Sequence, residues 1–349
     1  MIFTKGRSPL KLIYYFEKTL LPLLGISYRY YLGLGYLNKI AEFNRKICRF
    51  QLANEKRLNQ KMQKQLLASI IIRTYNEEKN IENCLNKVFS QNYRDFEVII
   101  IDSESKDNTL RIASKFPIKI IKIKKKDFSF GKSLNIGAES AKGKYLVFIS
   151  AHVIPVDNNW LKNLIKNLND KNIAGVYGKQ IPAKNCNPLT KRQMFAHWKN
   201  TKKVQTKDPF FSSANSAIKK DIWEKIRFDE ILPGSEDHDW AKKVQKQGYS
   251  ILYEPDAIVI HSHNETLRQI FNRNYREVYA NFLIYNKKLF FRYLTDSFYN
   301  FYKDVAYILK NKETFFWVLK SFINSLILIF SSTIAFLRAL NIDKNKIKK

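Results

Sequence analysis

The chain has 349 residues, enough for one large core with extensions. Its 61 Lys and Arg against 31 Asp and Glu leave a net charge of +30, which calls for partners carrying negative charge. Cys48, Cys84 and Cys186 are widely spaced and form no CxxC pair, which excludes a disulfide framework and a zinc ribbon and points to a reducing, cytoplasmic side.

Residues 1–66 carry thirteen basic and three acidic side chains. Their first apolar stretch is interrupted by Lys11, Glu17 and Lys18 and is followed by no small-residue cleavage site, so it does not read as a signal peptide. Leu20 to Leu37 combines Pro22 and Arg29 with a tyrosine cluster, and residues 38–65 follow a polar, basic helical pattern. Tyrosine-rich segments with basic flanks suit a membrane interface. A basic, aromatic helical extension is expected here.

Ser69 to Ile72 and Phe96 to Ile101 are short, β-branched apolar runs, as expected for strands buried on both faces of a parallel sheet. Between them Ile81, Leu85, Val88 and Phe89 recur at helical spacing behind Asn80, a candidate cap. The pattern predicts a β-α-β unit. Polar residues cluster at both strand ends: Thr74, Asn76 and Glu77, then Asp102, Ser103, Ser105 and Asp107. In open α/β sheets ligands bind at that edge, where Asp102 can accept hydrogen bonds from a nucleobase or ribose and Asp107 can cap the next helix.

The two segments resemble the opening of the family 2 glycosyltransferases, in the Thr-Tyr-Asn-Glu turn at Thr74 and in Asp102, Ser105, Asp107 and Thr109. Arg73 stands where many members have proline. The resemblance covers residues 68–264 and implies a GT-A fold, an α/β architecture with a mostly parallel sheet flanked by helices, and a nucleotide-sugar donor held by Thr74, Asn76, Glu77, Asp102 and Ser105.

Ile118 to Ile123 reads as a third strand, and Phe128 to Ala141 as a loop and helix. The resemblance nominates Gly131 and Asn135 for the nucleotide pocket, with Lys132 a phosphate contact. Tyr145 to Ile149 is the next buried strand and ends in Ser150-Ala151-His152. The family pattern places an Asp-x-Asp there that holds Mg²⁺ or Mn²⁺ against the donor diphosphate. With Ser150 and His152 in those places, a divalent cation stays open as cofactor, imidazole suiting Mn²⁺ better than Mg²⁺. Both residues are donor-site candidates, His152 also as a direct phosphate contact.

Asp157 to Leu168 reads as a helix, Ile173 to Gln180 as a strand, and Met194 to Trp198 as a helix inside an acceptor-facing excursion. Asn215 is an acceptor-side candidate. In Phe228 to Trp240, Gly234 and Ser235 precede a helix that stops at Gly248. Glu236 and Asp237 suit its N-terminus by charge alone. The segment also resembles the family's Glu-Asp motif, which implies Asp237 as the catalytic base, Glu236 as its neighbour and Trp240 on the acceptor side. Lys242 and Lys243 stand where relatives often carry Arg. Ser250 to Tyr253 and Ala257 to Ile260 read as two strands, the second delivering His261 and His263, which with His152 form a candidate metal set.

Residues 265–349 read as a helical extension with fifteen basic and six acidic side chains. Ser321 to Leu337 is uncharged but only seventeen residues long and diluted by serines, and basic sequence flanks it on both sides. A helix in or against an anionic membrane face is favoured over a span, and no nucleic-acid module accompanies the charge. The domain boundaries expected are 1–66, 67–264 and 265–349. The function expected is inverting transfer of a sugar to a hydroxyl of a glycan, lipid-linked and destined for a cell-surface polysaccharide. Two alternatives stand beside it: a nucleotidyltransferase, whose glycine-rich loop Thr74 to Lys79 lacks, and a non-catalytic nucleotide-sugar-binding or membrane scaffolding protein.

Overall fold

Three consecutive isoleucines shape strand β1 (Ala68–Thr74). Alternate side chains of a strand point to opposite faces, so Ile70 and Ile72 enter one core and Ile71 the other, and all three are fully buried. Each such burial stabilises by about 1.5–3 kcal/mol, and this strand accordingly sits inside the sheet. The computed structural model describes residues 68–262, 265–285 and 289–347, with side chains to residue 341. The expected extension over residues 1–66 and the candidate ligand His263 lie outside the described residues.

Strand β2 (Phe96–Asp102) and β4 (Tyr145–Ser150) flank β1 in parallel, and β3 (Lys119–Lys122) adds to β2. The register brings Thr74 beside Asp102 and Arg73 beside Ser150, so the polar strand ends gather at one edge. Beyond β4 the sheet is mixed. Strand β8 (Asn215–Lys219) runs antiparallel to β4 and to β6 (Ile173–Ile181), which pairs in parallel with β9 (Ser250–Ile260). Strands β5 (Ile154–Pro155) and β7 (Lys203–Gln205) close antiparallel onto β9.

Helices α1 (Ile81–Phe89), α2 (Thr109–Ala113) and α4 (Trp160–Ile165) cover the Ile70 face. Helices α3 (Phe130–Ser140), α6 (Lys220–Lys225) and α7 (Glu236–Lys246) cover the Ile71 face. A Cβ on Gly137 would stand 2.4 Å from Ile71 Cγ2, so glycine lets α3 lie directly on β1. Helix α5 (Pro188–His197) starts earlier than the sequence predicts, because Asn187 accepts from the Thr190 N–H and Pro188 suits the first turn. Two strands were expected around Pro255; the chain instead runs as one, and its register slips between Gly178 and Gln180, where Pro255 supplies no ladder donor.

Helices α8 (Leu267–Ile284), α9 (Leu289–Lys310) and α10 (Phe316–Ile347) follow the sheet. Helices α8 and α10 share a separate apolar cluster of Val278, Tyr279, Phe282, Ala335 and Ala339, against which Leu289, Phe290 and Tyr293 of α9 pack.

Candidate active site

Helix α7 begins where the chain is forced to turn. Ser235 adopts left-handed backbone at φ 54°, and the next two residues are Glu236 and Asp237. Glu236 is buried, while Asp237 is half-buried. Burial and the neighbouring Asp237 push the Glu236 carboxyl up to about 7, with Arg73 opposing the rise. Arg73 Nη1 lies 3.2 Å from Glu236 Oε1, and its Nη2 donates to Ser213 Oγ at 3.2 Å. The Ser213 N–H in turn donates to Asp237 Oδ2 at 2.9 Å, and the His238 N–H to Asp237 Oδ1 at 2.9 Å. A carboxylate offers about four acceptor directions, so Asp237 keeps capacity for a further proton or hydroxyl.

Arg73 comes from β1, beside Ser150, and therefore ties the sheet edge to the head of α7. The Phe130 ring lies between Arg73, 5.2 Å from its centroid, and Arg276 of α8, 4.7 Å away. The sequence reading assigned no role to Arg73, Ser213 or Arg276. The signal for Arg73 was its departure from the family's proline, visible but without a partner until the fold supplied one.

At the strand ends, Asp102 Oδ2 accepts from the Ser105 N–H at 3.0 Å, whereas Asp102 Oδ1 and the paired Thr74 Oγ1 are buried without a hydrogen-bond partner. Two orphaned polar atoms side by side mark a place where a ligand group can complete the bonding. Asn76, at φ 55°, and Ser105 cross-link the two loops: Asn76 Oδ1 accepts from the Lys106 N–H and Ser105 Oγ from the Asn76 N–H, each at 2.8 Å. Asp107 lies one residue before the N-cap Asn108 and, rather than capping the helix, accepts from the Thr109 N–H at 3.0 Å in a turn. Asn80 stands at the start of α1, but its side chain donates to Glu77 Oε2 rather than capping. Ser150 ends β4, half-buried, and the Lys132 side chain is likewise half-buried in the first turn of α3.

His152 Nδ1 lies 2.8 Å from Glu77 Oε1, and His261 Nδ1 lies 2.6 Å from Gln180 Oε1. Both oxygens can only accept, which places the hydrogen on Nδ1 of each ring and turns the Nε2 atoms toward each other, 3.2 Å apart. That separation suits two ligands about 2.1 Å from one shared ion. Glu77 and Gln180 are the supporting partners that metal-binding imidazoles use. Among the described residues no three His, Cys, Asp or Glu side chains converge into a complete metal set.

Four candidates are engaged inside the protein instead. Asn135 donates to Phe228 O and Glu230 Oε1 and accepts from Trp223 Nε1 and the Phe228 N–H, which exhausts its bonding capacity. A Cβ on Gly131 would meet Asp229 O at 2.0 Å, so this glycine admits a backbone rather than a nucleotide. Asn215 is fully buried between Trp160 Nε1 and the carbonyls of Lys179 and Ala257. Trp240 is fully buried, donating to Ile226 O and packing on Phe211 and Phe228. Polar residues at motif positions are here spent on holding the Phe228–Glu230 turn and the sheet.

The model of the family described as Glycosyl transferase family 2 matches residues 69–227. The O-antigen chain rhamnosyltransferase RfbN of Salmonella typhimurium is 32% identical over 217 residues, which cover 59% of this chain and 69% of that protein. Glycosyltransferase AglE of Haloferax volcanii is 28% identical over 203 residues, covering 55% of this chain and 66% of that one. A solved structure of GalNAc-T7 with UDP, GalNAc and Mn²⁺ superposes at a TM-score of 0.50 with 15% identity, over 74% of this chain and 56% of that one, a likeness of fold.

Proposed function

The chain belongs to glycosyl transferase family 2 and is a glycosyltransferase, and from that premise we propose that it moves a sugar from a nucleotide-diphosphate donor to a hydroxyl of a lipid-linked glycan, with inversion. The observation that carries the proposal is the Glu236–Asp237 pair, held by Arg73 and Ser213 across from the β4 end. Asp237 is the base. It takes the proton of the acceptor hydroxyl as that oxygen bonds to the anomeric carbon from the side opposite the diphosphate, whose bond to the sugar breaks. Ser213 and Arg73 fix the carboxylates' orientation, and buried Glu236 keeps Arg73 extended toward α7.

The donor nucleotide is assigned to the strand ends, with Asp102 Oδ1 and Thr74 Oγ1 as hydrogen-bonding atoms. The loop cross-link through Asn76 and Ser105 shapes that pocket, and Ser150 and Lys132 border the diphosphate. The convergent Nε2 atoms of His152 and His261 fit a divalent cation, with imidazole favouring Mn²⁺ over Mg²⁺. Such an ion supplies charge neutralisation to the leaving diphosphate. The relatives' names, O-antigen chain rhamnosyltransferase, support a growing polysaccharide chain as acceptor; the cysteine and charge patterns support the cytoplasmic side of a membrane.

The test is incubation of the purified chain with a panel of nucleotide-sugars, nucleotide-rhamnose among them, and a lipid-linked acceptor, with the product anomer read by NMR. A product of inverted configuration, lost in Asp237→Asn, is expected. Retention of configuration, or full transfer by Asp237→Asn, would refute the base assignment.

A further inference from the structure

Helices α9 and α10 bury polar side chains beside a few apolar ones, Ile308, Ala335 and Ala339, and expose most of their large apolar side chains. On α9 the side chains buried against the protein include Ser297 and Asp304, while Phe291, Phe298, Tyr302 and Leu309 are exposed. On α10 Ser321, Ser325, Ser331 and Ser332 are buried, while Phe316, Leu319, Phe322, Leu326, Phe330 and Leu337 face outward. Phe298 and Phe330 are 65% and 62% exposed, far beyond what a core-facing ring shows. Both outward sets recur at steps of three, four and seven, so each forms one stripe along its helix.

Several of the inward polar groups are engaged, while Asn324 Oδ1 of α10 is buried without a hydrogen-bond partner. Ser321 Oγ donates to Asp304 at 2.7 Å, Asp304 also pairs with Arg192 of α5, and Asn274 Nδ2 donates to Ser331 and Ser332. A helix bordered by water on its outer side sends its apolar stripe inward. Small polar residues at the helix contacts with large apolar ones outside is the arrangement that lipid favours.

We infer that the outer face of α9 and α10 is a docking surface for an anionic lipid bilayer, lying within the interface rather than crossing it. Charge selects this occupant. Arg292, Lys303, Lys310, Lys312 and Lys320 accompany the two stripes, and Lys303 and Lys320 lie over the rings of Tyr299 and Trp317. Aromatic rings with basic neighbours belong at the headgroup level, and anionic lipids attract them. A second copy of a chain with net charge +30 would meet repulsion at the same face.

Helix Phe316–Asn341 is long and apolar enough to cross a membrane by length and composition alone. Its other side, however, is committed to α8: Phe336 packs on Phe282, Asn274 Nδ2 donates to Ser331 Oγ at 2.7 Å, and Arg338 donates to Tyr275 Oη at 2.8 Å. Only one side is left for lipid. Helix α8 also reaches the active-site region, where its Arg276 stands over Phe130. The inference deepens the membrane placement proposed above and is independent of the chemistry assigned to Asp237.

The full chain is sedimented with vesicles of equimolar phosphatidylglycerol and phosphatidylcholine, and with phosphatidylcholine alone. Binding to the anionic vesicles, weakened by salt, is expected, and Phe298→Ser with Leu326→Ser should lower the partition coefficient about ten-fold with Tm unchanged. Undiminished partition of the double variant would overturn the surface. So would a dimer in analytical ultracentrifugation that the substitutions dissolve while vesicles leave the parent unbound. If the double variant does not fold, quenching by doxyl-labelled lipid, taken as the parent minus Trp317→Phe, decides: quenching of Trp317 supports docking and its absence refutes it. Transfer to a soluble acceptor without vesicle binding removes only this surface; vesicle binding without transfer removes only the reaction.

Discussion

Arg73 Nη1 and Glu236 Oε1 stand 3.2 Å apart, joining the first strand of the sheet to the head of α7 across 163 residues of sequence. Both side chains are largely shielded, at 15% and 5% exposure, so neither charge has water as a substitute partner. Removing one member of such a pair costs about 3–5 kcal/mol, because the other is left buried and uncompensated. Arg73→Met is therefore expected to lower unfolding stability by that order and to cut transfer. Adding Glu236→Gln to it should restore most of the stability but not the rate. Urea unfolding of the four chains of this cycle checks it, and a double variant no more stable than Arg73→Met would show that the ion pair is not the cause.

Burial of the Glu236 carboxyl beside Asp237, which Arg73 only partly offsets, sets a pH dependence. The Glu236 carboxyl is raised from 4.5 to about 7, so between those values the folded chain holds a proton that the unfolded chain has released. Stability from this group is present in full below pH 4.5 and is lost as pH rises through 7. The loss amounts to roughly 3 kcal/mol for an upward shift of that size. Glu236→Gln should lack this component of the slope. Denaturation midpoints at pH 5 and pH 8 in both chains measure it, and equal slopes would contradict the assignment.

Asp237→Asn keeps an acceptor oxygen for the Ser213 N–H but cannot take a proton. Transfer should fall about 10²- to 10⁴-fold, the range expected for a positioned general base, while donor affinity changes little. Calorimetric titration of donor beside a rate assay separates the two effects. A rate loss matched by an equal loss of donor affinity would make Asp237 a binding residue instead.

How far the sequence was legible depends on whether a residue's partner lies close in the chain. The apolar runs at Ile70 to Ile72 and Val98 to Ile101 are buried as their pattern predicts, and Asp107 finds its partner at Thr109, two residues on. Asn135 and Asn215 are different. Their motif positions suggested ligands, yet distant partners take all four bonding directions of Asn135 and three of the four of Asn215. Arg73 is the converse case: its departure from the family's proline is visible, but its partners Ser213 and Glu236 lie beyond any local pattern. The orientation of α9 and α10 was half legible: composition pointed to a membrane, but which side of each helix is polar follows only from what α5 and α8 present to it.

The facing imidazoles yield the remaining prediction. Glu77 and Gln180 take the Nδ1 atoms of His152 and His261, and the Nε2 atoms converge at 3.2 Å. A cation that binds only the folded state raises the melting temperature with concentration, so Mn²⁺ should stabilise the parental chain and do so less, or not at all, in His152→Ala with His261→Ala. Gln180→Leu keeps both ligands but frees the His261 ring to rotate, and loss of such a supporting partner typically weakens metal affinity about 10- to 100-fold. A thermal-shift titration with Mn²⁺ and with Mg²⁺ measures all three chains without any donor or acceptor. Graded loss from the parent through Gln180→Leu to the double variant, stronger for Mn²⁺, makes the histidine pair part of a metal site. An identical Mn²⁺ response in the parent and in the double variant would place the cation elsewhere and leave His152 and His261 with their structural contacts to Glu77 and Gln180 alone.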